Sequence, residues 1–528
     1  MPLQDGDEGN VCLESVEKSC LEEGLTTLSN TEENQNERVI GSFTETNKDP
    51  ADMEVNGSLK QTSKLSNRDH AVNIITVALP IMISELFQNT MPVVDIAFVG
   101  NLPNKEDLAA AALATVWFNL WNTTMMGFMT AIDTLLSQSF GGGELQSFAM
   151  WTATSMVIVL IVTTVLIVPI VAAVKPFMIL FGQDHELSSE AGQFSYRLLL
   201  GLPPLYAFKL LTKYLQTQNI LAPSIYIGIL SNGVNVLANW ILIYKLDYGL
   251  YGAPVATSVT RWLQMFMIVA YILWNKNGSL KDTFPSAKLA TFSKEIWSLF
   301  FKFAISGAFS FSAEAWSFEV TTILAGLLGT VPLDAHIITM TISTFIFLSF
   351  PFAIGIATSI RVGQLIGEGR PSDAKRSCII SYGINIGLQL VLIGFVMGFK
   401  NELGHLFSSD DEISDLVSLL LPLMCIFMLG DAVQANTGGA MRGLGRQKLV
   451  FKLNILGFWV LAIPVGALLT FVAKTGVAGL WWGFTVGIYS SGILGLLFLR
   501  VRIDWDKEAA KYRMRSSVIT SSLRENQV

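Results

Sequence analysis

The sequence runs to 528 residues, 51% of them hydrophobic and only 15% charged, with a mean hydropathy of +0.49. A soluble domain carries about 25% charged residues, so a water-soluble globule is excluded and a membrane body indicated. The net charge of -7 belongs to one end: residues 1–70 hold 15 acidic and 6 basic residues, the rest of the chain 27 and 29. No basic stripe of the kind nucleic acid needs is present, so no nucleic-acid partner is expected.

Residues 1–70 are rich in Glu, Asn, Ser and Thr and poor in aromatics. They cannot bury enough apolar surface to offset ordering, and a disordered acidic cytosolic tail is expected. No basic n-region precedes an apolar core, so a cleavable signal peptide is not expected and the first span must direct insertion. From Ala71 onward, apolar runs long enough to cross roughly 30 Å of hydrocarbon follow one another. They fall near 71–99, 108–136, 149–173, 190–211, 221–244, 252–274, 296–328, 333–360, 377–399, 413–437, 451–472 and 477–500. The runs are continuously apolar rather than alternating, so helices are the spanning element. An all-α integral membrane protein with twelve transmembrane helices is expected.

Lysine and arginine set the orientation. With the N-terminus inside, the inner loops carry fourteen of them, Lys209, Lys213, Arg442 and Arg446 included, against five in the outer loops, and both termini are cytosolic. The two halves repeat. QSFGGG at 138–143 and QLIGEG at 364–369 share Q-x-x-G-x-G at an offset of 226; GLYGAP at 249–254 and GVAGLW at 476–481 match at 227. Six helices separate the copies, so both run the same way through the membrane. That predicts two six-helix bundles about an axis along the membrane normal, with a site between them near the midplane. The expected lobes are 71–275 and 296–502, joined by a polar linker at 276–295 and followed by a cytosolic tail at 503–528. Cys12 and Cys20 in the tail and Cys378 and Cys425 in apolar runs form neither a disulfide framework nor a metal motif.

A carboxylate at the bilayer centre costs roughly 2.5–3.5 kcal/mol on insertion scales, so an intramembrane acid is a functional hypothesis by default. FSAEAWSFEV (311–320) carries two, Glu314 and Glu319, and Asp431, Asp95 and Asp133 complete the set. Five residues of helix rotate by about 140°, so Glu314 and Glu319 share no face. Withdrawal from water favours the protonated form of a carboxylate in general. Such a group can exchange a proton when a cavity changes its exposure, or bind an organic cation when ionised. The alternative for each acid is an interhelical hydrogen bond or ion pair, with Ser317 or Lys302 as partners in the seventh span. Asp133 near the inner interface reads as solvated or bonded to the turn at 141–143, and Arg197 and Arg261 as snorkelling outward. Trp117, Trp121 and Trp316 could stack on a cation, although packing is the usual role of such rings. Pro80, Pro92, Pro203, Pro204, Pro351, Pro422 and Pro464 fall within spans, where they kink helices. HExxH, a Walker loop and GxSxG are all absent, so no enzymatic activity and no cofactor are expected.

Together PVVDIAFVGNL (92–102), DTLLSQSFGGG (133–143), YLQTQN (214–219), EAWSFE (314–319), SIRVGQLIGEG (359–369) and GAMRGLGRQK (439–448) resemble the multidrug and toxic compound extrusion (MATE) family over roughly residues 71–500. The resemblance implies two pseudo-symmetric six-helix lobes that export organic cations, xenobiotics or metabolites in exchange for protons or sodium. E-x-W-x-x-E resembles the eukaryotic branch, where the first acid serves proton and substrate coupling. That role carries to Glu314, with Glu319 second and Asp431, eleven residues before Arg442, as a further acid. Asp95 within VDIAFVG resembles the first-helix aspartate of the bacterial branch. The implied function is a proton-coupled antiporter acting as a monomer in the plasma membrane or an endomembrane, on a small organic substrate. A sodium-coupled exporter, a lipid-linked precursor flippase of the same superfamily and a non-transport receptor are the alternatives.

Overall fold

The computed structural model describes residues 65–525 except 101, 103, 104 and 409. The acidic tail over 1–64, with Cys12 and Cys20, lies outside the described residues. Lys64–Arg513 is one compact unit. Every regular element among the described residues is a helix.

The first lobe holds α1 (Asn67–Gly100), α2 (Lys105–Phe128), α3 (Thr130–Gly141), α4 (Leu145–Ala172), α5 (Val174–Leu180), α6 (His185–Leu199), α7 (Leu202–Thr217), α8 (Ala222–Lys245) and α9 (Gly249–Asn277). The second holds α10 (Lys294–Gly326), α11 (Thr330–Ser349), α12 (Pro351–Gly367), α13 (Pro371–Gly398), α14 (Lys400–Phe407), α15 (Asp411–Gly443), α16 (Gln447–Val472) and α17 (Ala478–Arg502). A last helix, α18 (Trp505–Glu525), follows where a tail was expected, and packs Trp505, Ala509 and Tyr512 with residues of α12, α13 and α15.

Among the described residues, ten helical stretches are long and apolar enough to cross a membrane, with α11 and α12 taken as one. The other two expected spans, 108–136 and 190–211, coincide with α2–α3 and α6–α7. Asn119, Asn122, Thr123 and Thr124 lower the apolarity of α2, and α6 and α7 span only 15 and 16 residues because the chain breaks at Leu200 and Gly201. The prolines divide into two kinds. Pro80, Pro92 and Pro422 lie inside helices as expected. Pro203, Pro204 and Pro351 instead stand in first turns, where the missing N–H costs nothing.

The lobes exchange helices at their contact. From the first, α1 packs on α12 and α13; from the second, α10 packs on α2 and α3. In a bilayer, helix association depends on close backbone approach through small residues. At Gly127 and Gly307 a Cβ would meet the facing glycine's carbonyl oxygen at 2.4 and 2.3 Å.

The two Q-x-x-G-x-G turns face each other across this contact, and their symmetry is explicit. Gln138 Nε2 donates to the Gly443 carbonyl at 2.8 Å; Gln364 Nε2 donates to the Thr217 carbonyl at 2.9 Å. Donors and acceptors are both related by 226 positions. The first glycine of each motif lies against the opposing backbone: a Cβ on Gly141 would meet Gln364 O at 2.0 Å, and one on Gly367 would meet Gln138 O at 2.2 Å. The last glycines, Gly143 and Gly369, end their helices at φ +72° and +73°, which only glycine adopts without strain. The motif is thus a contact glycine plus a left-handed cap, used twice.

Candidate functional site

In the second lobe, Ser310, Glu314 and Ser317 recur at helical spacing and share one face of α10. That face meets Gln434 of α15 and Asn454 of α16, and Ser491 of α17 donates to Asn454 Oδ1 at 3.4 Å behind them. Glu314 Oε2 accepts from Asn454 Nδ2 at 3.3 Å and Gln434 Nε2 at 3.5 Å. Gln434 Nε2 also donates to Asn454 Oδ1 at 3.1 Å, and Asn454 Nδ2 to the Ser310 carbonyl at 3.2 Å. Ser317 Oγ turns back to the Glu314 backbone carbonyl at 2.6 Å and leaves the carboxylate alone.

Asp431 precedes Gln434 by one turn of α15. Its carboxylate is 4% exposed, and it has no hydrogen-bond or ion-pair partner among the described residues. It and Glu314 act on each other electrostatically. Two carboxylates in one dry lobe disfavour double ionisation, so proton or cation occupancy of one affects the other. Glu319, half-buried on a different face of α10, joins no network among the described residues.

Arg442 was expected in an inner loop. It is instead 5% exposed within α15, its guanidinium carbon 5.8 Å from the centroids of Phe311 and Phe352. From there its charge acts on both Asp133 and Glu314, one in each lobe. Replacing Asn454 by alanine removes two donors from this network. The initial rate of substrate export from proteoliposomes is expected to fall about tenfold, equivalent to ~1.4 kcal/mol and typical of a lost hydrogen bond to a charged acceptor.

The first lobe holds a second acid site. Asp95 Oδ1 accepts from Asn239 Nδ2 at 2.8 Å and Asn235 Nδ2 at 3.2 Å, and its Oδ2 accepts from the Thr257 hydroxyl. Asn235 and Asn239 are one turn apart on α8, so both reach one carboxylate. Arg261, one turn beyond Thr257, is buried over the Phe118 ring at 5.0 Å rather than snorkelling outward. Arg197 does turn outward, capped by the Gln193 carbonyl at 2.8 Å and stacked on Tyr251 at 3.9 Å.

Asp133 is neither solvated nor tied to the glycine turn. It is buried and forms an ion pair with Lys213 Nζ at 2.5 Å. Lys213 and Lys209, counted as inner-loop cations from sequence, therefore lie inside α7. The interior charges are then mixed in both lobes, Glu314 and Asp431 with Arg442 in the second and Asp95 and Asp133 with Lys209, Lys213 and Arg261 in the first. Trp117, Trp121 and Trp316 pack on one another, Trp121 and Trp316 meeting edge-on across the lobe contact at 6.2 Å between centroids. Gln434, Asn454, Asn235, Asn239 and Thr257 escaped the sequence reading. Their signal was a polar side chain inside an apolar run, which the search for charges passed over.

Duplicated helical lobes, each with a carboxylate held by amide donors within its spans, define a multi-pass membrane transporter. The MatE family model matches the chain twice, over residues 80–241 and 307–468, an offset of 227 that restates the internal repeat. Multidrug and toxin extrusion protein 1 of Xenopus tropicalis is 32% identical, over 85% of this chain and 77% of that protein. Multidrug and toxin extrusion protein 2 of Mus musculus is 29% identical, over 85% of this chain and 78% of that protein. Among solved structures, the eukaryotic MATE transporter AtDTX14 superposes with a TM-score of 0.79 at 26% identity, covering 85% of this chain and 99% of that one. A MATE transporter in an outward-facing conformation matches in fold with a TM-score of 0.75 at 20% identity. The chain belongs to the multidrug and toxin extrusion family.

Proposed function

We propose that the chain is a proton-coupled antiporter that exports small organic cations, with Glu314 and Asp431 as the exchanging acids. The observation that carries this is the pair itself: Glu314, half-buried and held by amide donors, and Asp431, buried one turn before Gln434 with no partner among the described residues. An organic cation is held while the pair carries negative charge. A proton arriving from the outer side removes that charge and weakens the hold, so the substrate leaves outward. The lobes then rock about their helix-exchanged contact, and the proton passes to the cytosolic side, where the Q-x-x-G-x-G turns lie in the proposed orientation. The lobes of this cycle are the expected 71–275 and 296–502, with both termini cytosolic. The test is export of a fluorescent organic cation from proteoliposomes under an imposed pH gradient: acceleration is expected, and indifference to the gradient overturns the proposal.

Sodium coupling is the second reading, carried by Asp95, which stands among Asn235, Asn239 and Thr257, side chains that donate to it here and each also carry an oxygen. Oxygen ligands suit hard cations. Under the proton proposal, Asp95→Asn leaves pH-driven export within about threefold, a barrier change under ~1 kcal/mol, and removes any sodium-stimulated component. Loss of pH-driven export in Asp95→Asn, measured at equal expression, moves the coupling site to the first lobe.

A further inference from the structure

A cavity of about 180 Å³ lies in the first lobe between α4, α7 and α9, roofed by Phe284 and Pro285 of the segment that joins the lobes. Ala153 and Met156 of α4, Leu211 of α7, and Ile272 and Leu273 of α9 are among its walls. The roof is fixed from the protein side. The Tyr214 hydroxyl of α7 donates to the Thr283 carbonyl at 3.2 Å, the Thr283 hydroxyl donates to Gln218 Oε1 at 2.7 Å, and Leu280 is fully buried.

The lining selects an apolar occupant. Thr152 is its only polar side chain, and that hydroxyl already donates to the Phe148 carbonyl at 2.9 Å. Water held in a cavity needs several polar partners, whereas apolar cavities of this size take hydrocarbon guests. The wall reaches the outside at Leu273, which is 55% exposed, and the adjoining Trp274 is 90% exposed. A bare tryptophan at the end of a spanning helix marks the level of the lipid headgroups. Two residues further on, the Lys276 ammonium lies 4.8 Å from the ring centroid of Phe284, on the roof itself. It has no ion-pair partner among the described residues. An apolar space with a cation at its rim complements an amphiphile with a negative head. In the proposed orientation this end faces the cytosol, and the cytoplasmic leaflet is the anionic one.

We propose that the cavity binds an anionic phospholipid of the inner leaflet, one acyl chain passing beside Leu273 to fill the space under Phe284 and Pro285, with the phosphate against the Lys276 ammonium. The site is separate from the carboxylates of both lobes and independent of the ion that drives export. Because the roof belongs to the segment between the lobes, a seated chain ties that segment to α4 and α9.

The test uses the purified full chain in phosphatidylcholine nanodiscs doped with a phosphatidylserine or a phosphatidylcholine probe, each carrying a diazirine midway along one acyl chain. After photolysis, labelled residues are mapped by peptide mass spectrometry. Leu211 and Ile272 are 5% and 4% exposed, so their labelling reports a chain inside the cavity rather than lipid lying on Leu273. The phosphatidylserine probe is expected to label them at least about tenfold more than the phosphatidylcholine probe, equivalent to ~1.4 kcal/mol. Lys276→Gln removes that excess and leaves the phosphatidylcholine signal unchanged, while Lys276→Arg keeps it. Ala153→Phe, which fills the space, abolishes labelling of both residues by either probe. Lys276 is exposed, so its variants decide the matter should Ala153→Phe fail to fold. Absence of label at Leu211 and Ile272, equal labelling by the two probes, or an undiminished preference in Lys276→Gln overturns the proposal, as does full labelling in a folded Ala153→Phe chain.

Discussion

Glu314→Gln is expected to lower pH-gradient-driven export by about a hundredfold or more, equivalent to ~2.7 kcal/mol on the rate-limiting barrier. Glutamine keeps the size of the side chain and one acceptor for Asn454 Nδ2 and Gln434 Nε2, which lie 3.3 and 3.5 Å from the carboxylate. Packing and fold are therefore retained. The variant loses the ionised form that holds a cation and the proton exchange that releases it. Asp431 keeps its carboxyl, but without its neighbour the two-carboxylate pair is gone. Binding and coupling should fail together. A variant that binds substrate normally and fails only under a gradient would assign Glu314 to the proton alone. The measurement is the initial export rate and the substrate dissociation constant, each on reconstituted protein. Glu319→Gln, on a different face, should cost less than about threefold, below ~1 kcal/mol.

The second large effect concerns the contact between the lobes. A valine at Gly367 would put its Cβ 2.2 Å from Gln138 O and 2.7 Å from Gly142 N, both well inside van der Waals contact. Backbone cannot yield as a flexible side chain does. Overpacking of this kind typically costs about 1–3 kcal/mol, enough to disfavour the closed turns by roughly tenfold to a hundredfold. Gly367→Val should therefore expose this end of the molecule. A cysteine at Ser137, now fully buried, reports it in a background lacking Cys12, Cys20, Cys378 and Cys425. Its modification by a water-soluble maleimide should accelerate at least about tenfold, the ~1.4 kcal/mol equivalent. Unchanged protection would mean that the paired glycine turns do not hold the lobes together.

The sequence made the lobes legible because duplication leaves marks that need no tertiary information. Q-x-x-G-x-G at 138–143 and 364–369 announced both the repeat and the axis, and the structure adds why each glycine is there. The apolar runs likewise located the helices, since the hydrocarbon thickness fixes their length. Charged interior residues were harder. Lys209, Lys213 and Arg442 sit near run ends, where composition alone does not separate a loop from the last turns of a helix. Arg261 was read as snorkelling because its aromatic neighbour, Phe118, is on α2 and far away in sequence. The partners of the acids were invisible for the same reason. Gln434 and Asn454 lie 120 and 140 positions from Glu314, and Asn235 lies 140 from Asp95. Pairing across such distances follows from helix packing, which no local pattern encodes. What remained readable was the anomaly itself, an acid in an apolar run. Geometry then distinguished Glu314, inside an amide network, from Glu319, five residues away and outside it.

In the proposed function, the Glu314–Asp431 pair of the second lobe couples a proton gradient to solute export. The most direct test is efflux of one fluorescent organic cation from proteoliposomes holding the parent or the Glu314→Gln chain, under a pH gradient and, separately, a sodium gradient of equal size. The pH gradient alone is expected to accelerate the parent, and Glu314→Gln to respond to neither. Normal pH-driven efflux through Glu314→Gln, or a parent driven only by sodium, would contradict this coupling.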